Sequence, residues 1–220
     1  MDPFVTMDFR GIYQLLLDRF GPQHWWPGET PFEVAVGAIL TQNTSWTNVE
    51  KAITNLKRAR RLSTRGIGSL SEKELAGLIR PSGYFNQKSR RLKDFVDYLE
   101  TQYRGSMAVM ARYGLAELRH ELLALNGIGP ETADSILLYA LNKPVFVIDA
   151  YTKRVLARHG CVDEGATYHQ VQELFHTHLA ADVSLYNEYH ALFVRLCKDH
   201  CSKRTPACSG CPLESLRRCV

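Results

Sequence analysis

Apolar residues recur at intervals of three and four along most of the chain, and that spacing suits helices and little else. It runs through Phe9-Ile12-Tyr13-Leu16-Phe20, Phe32-Val36-Ile39-Leu40, Leu92-Phe95-Val96-Leu99, Leu115-Leu118-Leu122-Leu123, Ala133-Ile136-Leu137-Ala140 and Tyr186-Tyr189-Phe193-Leu196. The only β-like run, Val145-Phe146-Val147-Ile148, is four residues long and reads equally as a buried connector entering a helix after Asp149. Ser71 with Glu74 forms a capping box, and breaks at Pro27-Gly28, Pro81-Ser82-Gly83 and Asn126-Gly127-Ile128-Gly129-Pro130 separate the helices. An all-α fold is expected. No repeat and no long linker appears, so two packed lobes are expected: a central helical block over 28–141, and a second lobe from 1–27 with 142–220.

At 220 residues, 45% of them hydrophobic and 23% charged, the chain has the material for a folded core, which excludes collagen-like, low-complexity and disordered classes. No run of 18 apolar residues is present, and Met1 to Arg10 has neither the basic region nor the apolar stretch of a signal peptide. A cytoplasmic protein without a membrane partner is expected.

The net charge of +4 is modest but unevenly placed. Lys57, Arg58, Arg60, Arg61 and Arg65 lie together without an acid, Lys88, Arg90, Arg91 and Lys93 follow, and Lys198, Lys203, Arg204, Arg217 and Arg218 stand near the end. Such runs suit a polyanion, although a single run is also what a solvated helix face looks like. Five of the six cysteines fall in the last 24 residues. A cytoplasmic chain of this size does not build a disulfide scaffold, so the crowding argues for metal.

In Leu125-Asn126-Gly127-Ile128-Gly129-Pro130-Glu131-Thr132-Ala133 two glycines flank an apolar residue, and a proline opens the next helix where it is best tolerated. Such a turn can present backbone amides and a helix N-terminus to a phosphate without reading sequence; it is also what a plain helix-helix turn requires. Glycine hairpin, following proline and Thr-Ala together resemble the helix-hairpin-helix element of DNA repair proteins. Eighteen residues past Glu131, Asp149 closes the apolar run Val145–Ile148 and opens a helix carrying Arg154, which is similar to the catalytic aspartate of the endonuclease III superfamily of DNA glycosylases. The same residue suits a helix N-cap.

That resemblance covers about Trp25 to Cys219. It implies a six-helix-barrel-like central domain holding the hairpin, whose Gly127, Gly129 and Thr132 face DNA, and a terminal domain with a metal loop. It implies that Asp149 stabilises the oxocarbenium-like sugar as an N-glycosidic bond breaks. Bifunctional members use a lysine on the second hairpin helix to form a Schiff base; Glu131 stands there, and a carboxylate cannot do so. A monofunctional enzyme with little lyase activity is the expectation, with Glu131 either catalytic or simply an acid suited to the first helical turn.

His24-Trp25-Trp26-Pro27 and Thr41-Gln42-Asn43-Thr44-Ser45-Trp46 look like segments of the 3-methyladenine DNA glycosylases built on the endonuclease III fold, implying a base pocket of Trp25, Trp26, Pro27 and Trp46. An N3-alkylated purine is cationic, stacks on indole faces and leaves readily. Core packing is the alternative use of these tryptophans. The resemblance also implies that Gln42 fills the hole left by the flipped nucleotide, that Tyr84, or Phe85 beside it, wedges into the stack, and that Lys88, Arg90 and Arg91 hold phosphates nearby. Adenine-mismatch glycosylases carry a glutamate where Ala38 stands, which argues against that branch. An oxidised-pyrimidine, bifunctional endonuclease III and a catalytically silent DNA-binding iron-sulfur protein are the alternatives.

Cys201-x6-Cys208-x2-Cys211-x7-Cys219 is close to the family's cluster-binding loop, whose last interval is usually shorter. The resemblance implies a 4Fe-4S cluster on Cys201, Cys208, Cys211 and Cys219, with zinc as the alternative and Cys197 in reserve for Cys219. The implied partner is double-stranded DNA containing damaged bases, bound by a monomer associated with the nucleoid.

Overall fold

The computed structural model describes residues 8–25 and 28–216. Every regular element among them is a helix: α1 Phe9–Phe20, α2 Pro31–Leu40, α3 Trp46–Arg58, α4 Thr64–Gly68, α5 Glu72–Leu78, a 3-10 turn Arg80–Ser82, α6 Phe85–Tyr103, α7 Met107–Met110, α8 Leu115–Ala124, α9 Pro130–Ser135 running into a π-helical turn Ile136–Ala140, α10 Ala150–Arg158, α11 Tyr168–His178 and α12 Val183–Asp199. None of the described helices is long and apolar enough to cross a membrane. The chain divides into two compact units, residues 26–143 and residues 1–25 with 144–220.

The 26–143 unit is built around α2. Thr30 caps this helix by accepting from the Glu33 amide, Pro31 opens it, and Val34, Ala35, Val36, Gly37, Ile39 and Leu40 are all buried. A helix apolar on every face must be enclosed, and α3, α6, α9 and the π turn pack around it. Gly37 allows close approach, since a Cβ there would lie 3.3 Å from the Trp46 ring. The longest helix, α6, adds Leu92, Phe95, Val96, Leu99 and Tyr103 to the same core. Truncating a fully buried residue such as Ile39 to alanine costs about 2–5 kcal/mol.

The other unit packs α1 and α10 against α12. Its core is aromatic: Phe146 stacks on Phe175 at 3.8 Å, Tyr189 on Phe193 at 4.8 Å, and the buried Tyr189 hydroxyl donates to the Phe9 carbonyl at 2.9 Å. Val145–Ile148 is a connector and not a strand. It is buried, so its backbone groups need partners, and side chains supply them: the Phe146 amide donates to His176 Nε2 at 3.1 Å, Gln172 donates to the Phe146 carbonyl at 2.7 Å, and the Ile148 amide reaches the Tyr168 hydroxyl at 3.3 Å. The connector delivers Asp149 to the start of α10.

Candidate active site

The hairpin joins α8 to α9. Leu118, Leu122 and Ile128 are buried beneath it, and Arg119 on α8 grips the fully buried Asp134 on α9 through two hydrogen bonds of 2.7 and 3.1 Å. The two glycines have different reasons. Gly127 has φ +77°, and a Cβ on it would lie 2.2 Å from Arg91 Nε. Gly129 has φ −90°, the extended conformation of a helix cap, and nothing lies within 4 Å of where its Cβ would be. Conformation therefore demands glycine at 127 and leaves 129 open. Glu131 is exposed in the first turn of α9, and Thr132 is buried one residue later.

Gln42 is tied to this hairpin. Its Nε2 donates to the Gly127 carbonyl and to Thr132 Oγ1, both at 2.9 Å, and its Oε1 accepts a short hydrogen bond from Arg91. The structure thus brings together Gln42, Gly127 and Thr132, three residues expected to face DNA, and engages Arg91 with them.

Tyr84 and Phe85 separate clearly. Tyr84 caps α6 in the left-handed region, φ +46° after Gly83 at +67°, with its side chain 64% exposed. A non-glycine residue held there costs about 1–2 kcal/mol. Phe85 is half-buried under the Arg80 guanidinium, 5.9 Å from the ring centre, and lines a 580 Å³ cleft with Lys73, Arg80, Asn86 and Arg90. Lys88 corrects the sequence expectation. It is not a surface cation: it is 1% exposed, and its Nζ donates to the carbonyls of Leu40 at 2.8 Å and Ser82 at 2.7 Å. The reason is positional, since Lys88 falls on the face of α6 that turns toward α2. Lys57, from the first basic run, likewise pairs with Glu29 and Glu33, each at 2.9 Å. Those two acids, Glu50 and Trp46 line a separate 360 Å³ cleft.

Asp149 caps α10. Its Oδ1 accepts from the Thr152 amide at 2.8 Å and the Thr152 hydroxyl at 2.9 Å, while its Oδ2 lies 3.4 Å from Nε2 of His190 on α12. Burial alone would raise this carboxyl's pKa. The charge and contact of His190 and the two Thr152 donors outweigh burial and hold it below its ordinary value. The carboxylate is therefore ionised at neutral pH and only 14% exposed, as a group stabilising a cationic sugar must be. His190 also meets the edge of the Trp25 ring at 6.3 Å, and the buried Trp25 Nε1 has no hydrogen-bond partner among the described residues. Trp26 and Pro27, the other expected pocket residues of that segment, lie outside the described residues.

Cys201, Cys208 and Cys211 lie on the loop after α12; Cys219 lies outside the described residues. Arg158, in the last turn of the helix that Asp149 caps, donates to Cys201 Sγ at 3.1 Å, the Ser202 carbonyl at 2.8 Å and the Lys203 carbonyl at 3.0 Å, and Arg154 donates to the Cys201 carbonyl at 3.0 Å. A hydrogen bond from Cys197 and then these arginines draw the Cys201 thiol down to about 6 against the effect of burial, favouring the thiolate that ligates metal. Cys197 is buried with its sulfur 3.7 Å from the Tyr151 carbonyl. Among the described residues no group of three or more His, Cys, Asp or Glu is gathered to hold a metal ion. Donor chemistry and the arginine clamp fit a thiolate-bound cluster; its fourth expected ligand is Cys219.

A glycine hairpin between paired helices and a sheltered aspartate heading α10 suit base excision, and residues 36–180 match the HhH-GPD superfamily of base excision DNA repair proteins, to which the chain belongs. It is thus a DNA glycosylase of base excision repair. Over 205 residues, 92% of each chain, it is 49% identical to a Methanocaldococcus jannaschii protein provisionally named a DNA repair glycosylase. It is 27% identical to an endonuclease III of Thermotoga maritima over 185 residues, 84% of this chain and 81% of the relative. Among solved structures, an H. pylori 3-methyladenine DNA glycosylase bound to 1,N6-ethenoadenine matches at TM-score 0.76 and 30% identity, over 87% of this chain and 98% of that one. An endonuclease III in complex with DNA matches in fold at TM-score 0.82 and 22% identity, over 95% and 93%.

Four features were not read from the sequence. His190 sits inside an apolar stripe and is 41 positions from Asp149 in the chain. Arg119 and Asp134 pair across the hairpin, Arg91 meets Gln42 through the fold, and Arg158 reaches the cysteine loop from a different element. Only the last carried a sequence signal, an arginine one turn after Arg154 on a helix already expected.

Proposed function

We propose that the protein is a monofunctional DNA glycosylase that excises alkylated purines, 3-methyladenine first, and leaves an abasic site. The observation carrying this reading is that the chain has both an ionised, sheltered Asp149 at the head of α10 and, in the first turn of α9 where lyases of the family place lysine, a glutamate, Glu131. Double-stranded DNA with a damaged base is the substrate; the likeness to a DNA-bound endonuclease III and to the ethenoadenine-bound H. pylori enzyme supports both partner and lesion class. The role of stacking on the damaged base is assigned to Trp25, Trp26, Pro27 and Trp46, and Glu50, which lines a cleft with Trp46 where Glu29 and Glu33 are already paired with Lys57, suits a cationic purine. Tyr84 is the wedge, being the exposed aromatic of the pair, and Gln42 the plug, leaving its hairpin bonds for the duplex. Gly127, Gly129 and Thr132 belong to the hairpin that takes a phosphate, with the free space above Gly129 as its approach.

In the reaction, the positive charge on the sugar grows as the base leaves. The Asp149 carboxylate, fixed by Thr152 and His190, stabilises that charge and orients the water that adds to the anomeric carbon. Glu131 has no nucleophilic nitrogen, so no Schiff base forms and the strand stays intact.

Cys201, Cys208, Cys211 and Cys219 would hold a 4Fe-4S cluster. Its role is structural, ordering the loop that exposes Lys203 and Arg204 to phosphates. The test is chromatography of bases released from methylated DNA, with strand cleavage followed in the same samples. Release of 3-methyladenine without cleavage supports the reading; cleavage with a borohydride-trapped adduct supports the bifunctional endonuclease III alternative.

A further inference from the structure

Lys88 is a buried cation with no ion pair among the described residues. Its ammonium is held by two backbone carbonyls, and both stand at the end of a helical element. Leu40 is the last residue of α2, 2.8 Å away, and Ser82 is the last of the 3-10 turn, 2.7 Å away. Terminal carbonyls lack helical partners and carry the negative end of the peptide dipoles, so the lysine is solvated by two helix ends at once. Two residues beyond Leu40 stands Gln42; two residues beyond Ser82 stands Tyr84. The next turn of α6 brings Arg91 onto Gln42. Tyr84 itself, and Asn43 next to Gln42, stand at positive φ.

We propose that Lys88 is a positioning residue that couples the two side chains entering DNA, fixing the plug Gln42 and the wedge Tyr84 to one another through a single ammonium group. Entry of one then presents the other at the right depth, and the pair acts as one element. Burial pushes the Lys88 pKa down to about 8, with Arg91 adding to the effect, so the brace carries its charge at neutral pH.

This inference rests on the reading of Gln42 and Tyr84 as plug and wedge, and the experiment separates the two. Affinity is measured for a duplex carrying a tetrahydrofuran abasic analogue, using the full-length Gln42→Ala, Tyr84→Ala and double variants, each with Lys88 and with Lys88→Gln. With Lys88 present the double variant should lose less affinity than the product of the single losses, by about threefold or more. With Lys88→Gln the losses should multiply. Losses that multiply with Lys88 in place overturn the coupling, as does non-additivity that survives Lys88→Gln. Single variants that bind like the parent overturn the plug-and-wedge reading and the inference with it. Should Lys88→Gln fail to fold by circular dichroism, the cycle in the Lys88 protein decides alone.

Discussion

His190 faces Asp149 across 3.4 Å, joining the middle of α12 to the first residue of the α10 cap and bringing one imidazole against both the carboxylate and the Trp25 ring. The contact is longer than a good N–H···O hydrogen bond, so its effect is mostly that of charge. Because the folded-state pKa of Asp149 is depressed, the carboxylate contributes stability above the ordinary carboxylate range and loses it as pH falls through the folded value. The rate of base release should follow the same ionisation and fall on the acid side only below the usual carboxylate range. Replacing His190 by alanine removes the strongest lowering influence and moves that acid limb to higher pH. Single-turnover rates across the acid range check this; an unmoved limb would show that His190 does not govern Asp149.

The Arg119–Asp134 pair predicts the behaviour of the hairpin. Asp134 is fully buried and Arg119 grips both of its oxygens. Arg119→Met strips a buried carboxylate of that cation and should destabilise the protein by about 3–5 kcal/mol, with most of the loss recovered in Arg119→Met/Asp134→Leu. Urea unfolding of the single and double variants measures both.

The two hairpin glycines should respond differently. Gly127→Ala meets a positive φ and the Arg91 side chain, and should cost at least about 1 kcal/mol in stability. Gly129→Ala has space and an ordinary φ, so its melting temperature should hardly change, while a methyl group in the proposed phosphate approach should weaken DNA binding. Thermal melting and duplex affinity of both variants distinguish the two effects.

Tyr84 predicts a trade between stability and binding. Tyr84→Gly relieves the left-handed backbone and should stabilise the free protein by about 1 kcal/mol or leave it unchanged, after the entropy cost of glycine. The same variant should bind abasic-site DNA about tenfold more weakly, since a stacking side chain is worth about 1–3 kcal/mol. Loss of stability without loss of affinity would assign Tyr84 to the fold instead.

The helices that strong apolar periodicity announces, α2, α6 and α12, are the ones whose cores the sequence displays. The capping box of α5 was legible from Ser71 and Glu74 alone, and it forms. Helix α3 buries Val49, Ala52, Ile53 and Leu56 at helical spacing, but its basic end drew attention to charge. Helix α11 offers few apolar residues, Val171 and Phe175 chief among them, and needs the aromatic core to define it. Lys88 reads as a surface cation in the sequence because a lysine solvated by backbone carbonyls has no acidic partner there. The N-cap at Asp149 and the first-turn acid Glu131 were legible because local motifs mark them; the contacts of His190 and Arg158 were not, because their partners lie 41 and 43 positions away.

The proposed cluster on the cysteine loop after α12 has its own test. Purified protein should be brown and contain iron, with colour and loop order lost in Cys201→Ser. Arg158→Met should loosen the same loop, because it removes donors to Cys201, Ser202 and Lys203 together. Elemental analysis and visible absorbance check it, and a colourless protein holding zinc would replace the cluster with the alternative metal.

The proposed function places hydrolysis of the glycosidic bond of an alkylated purine on Asp149. Base release from methylated DNA, compared between the parent and a folded Asp149→Asn variant, tests it most directly. The parent should release free 3-methyladenine and leave strands intact, and the variant should lose at least about a hundredfold, the scale of a lost electrostatic stabiliser. Equal release by the two proteins, or release by neither, would contradict it.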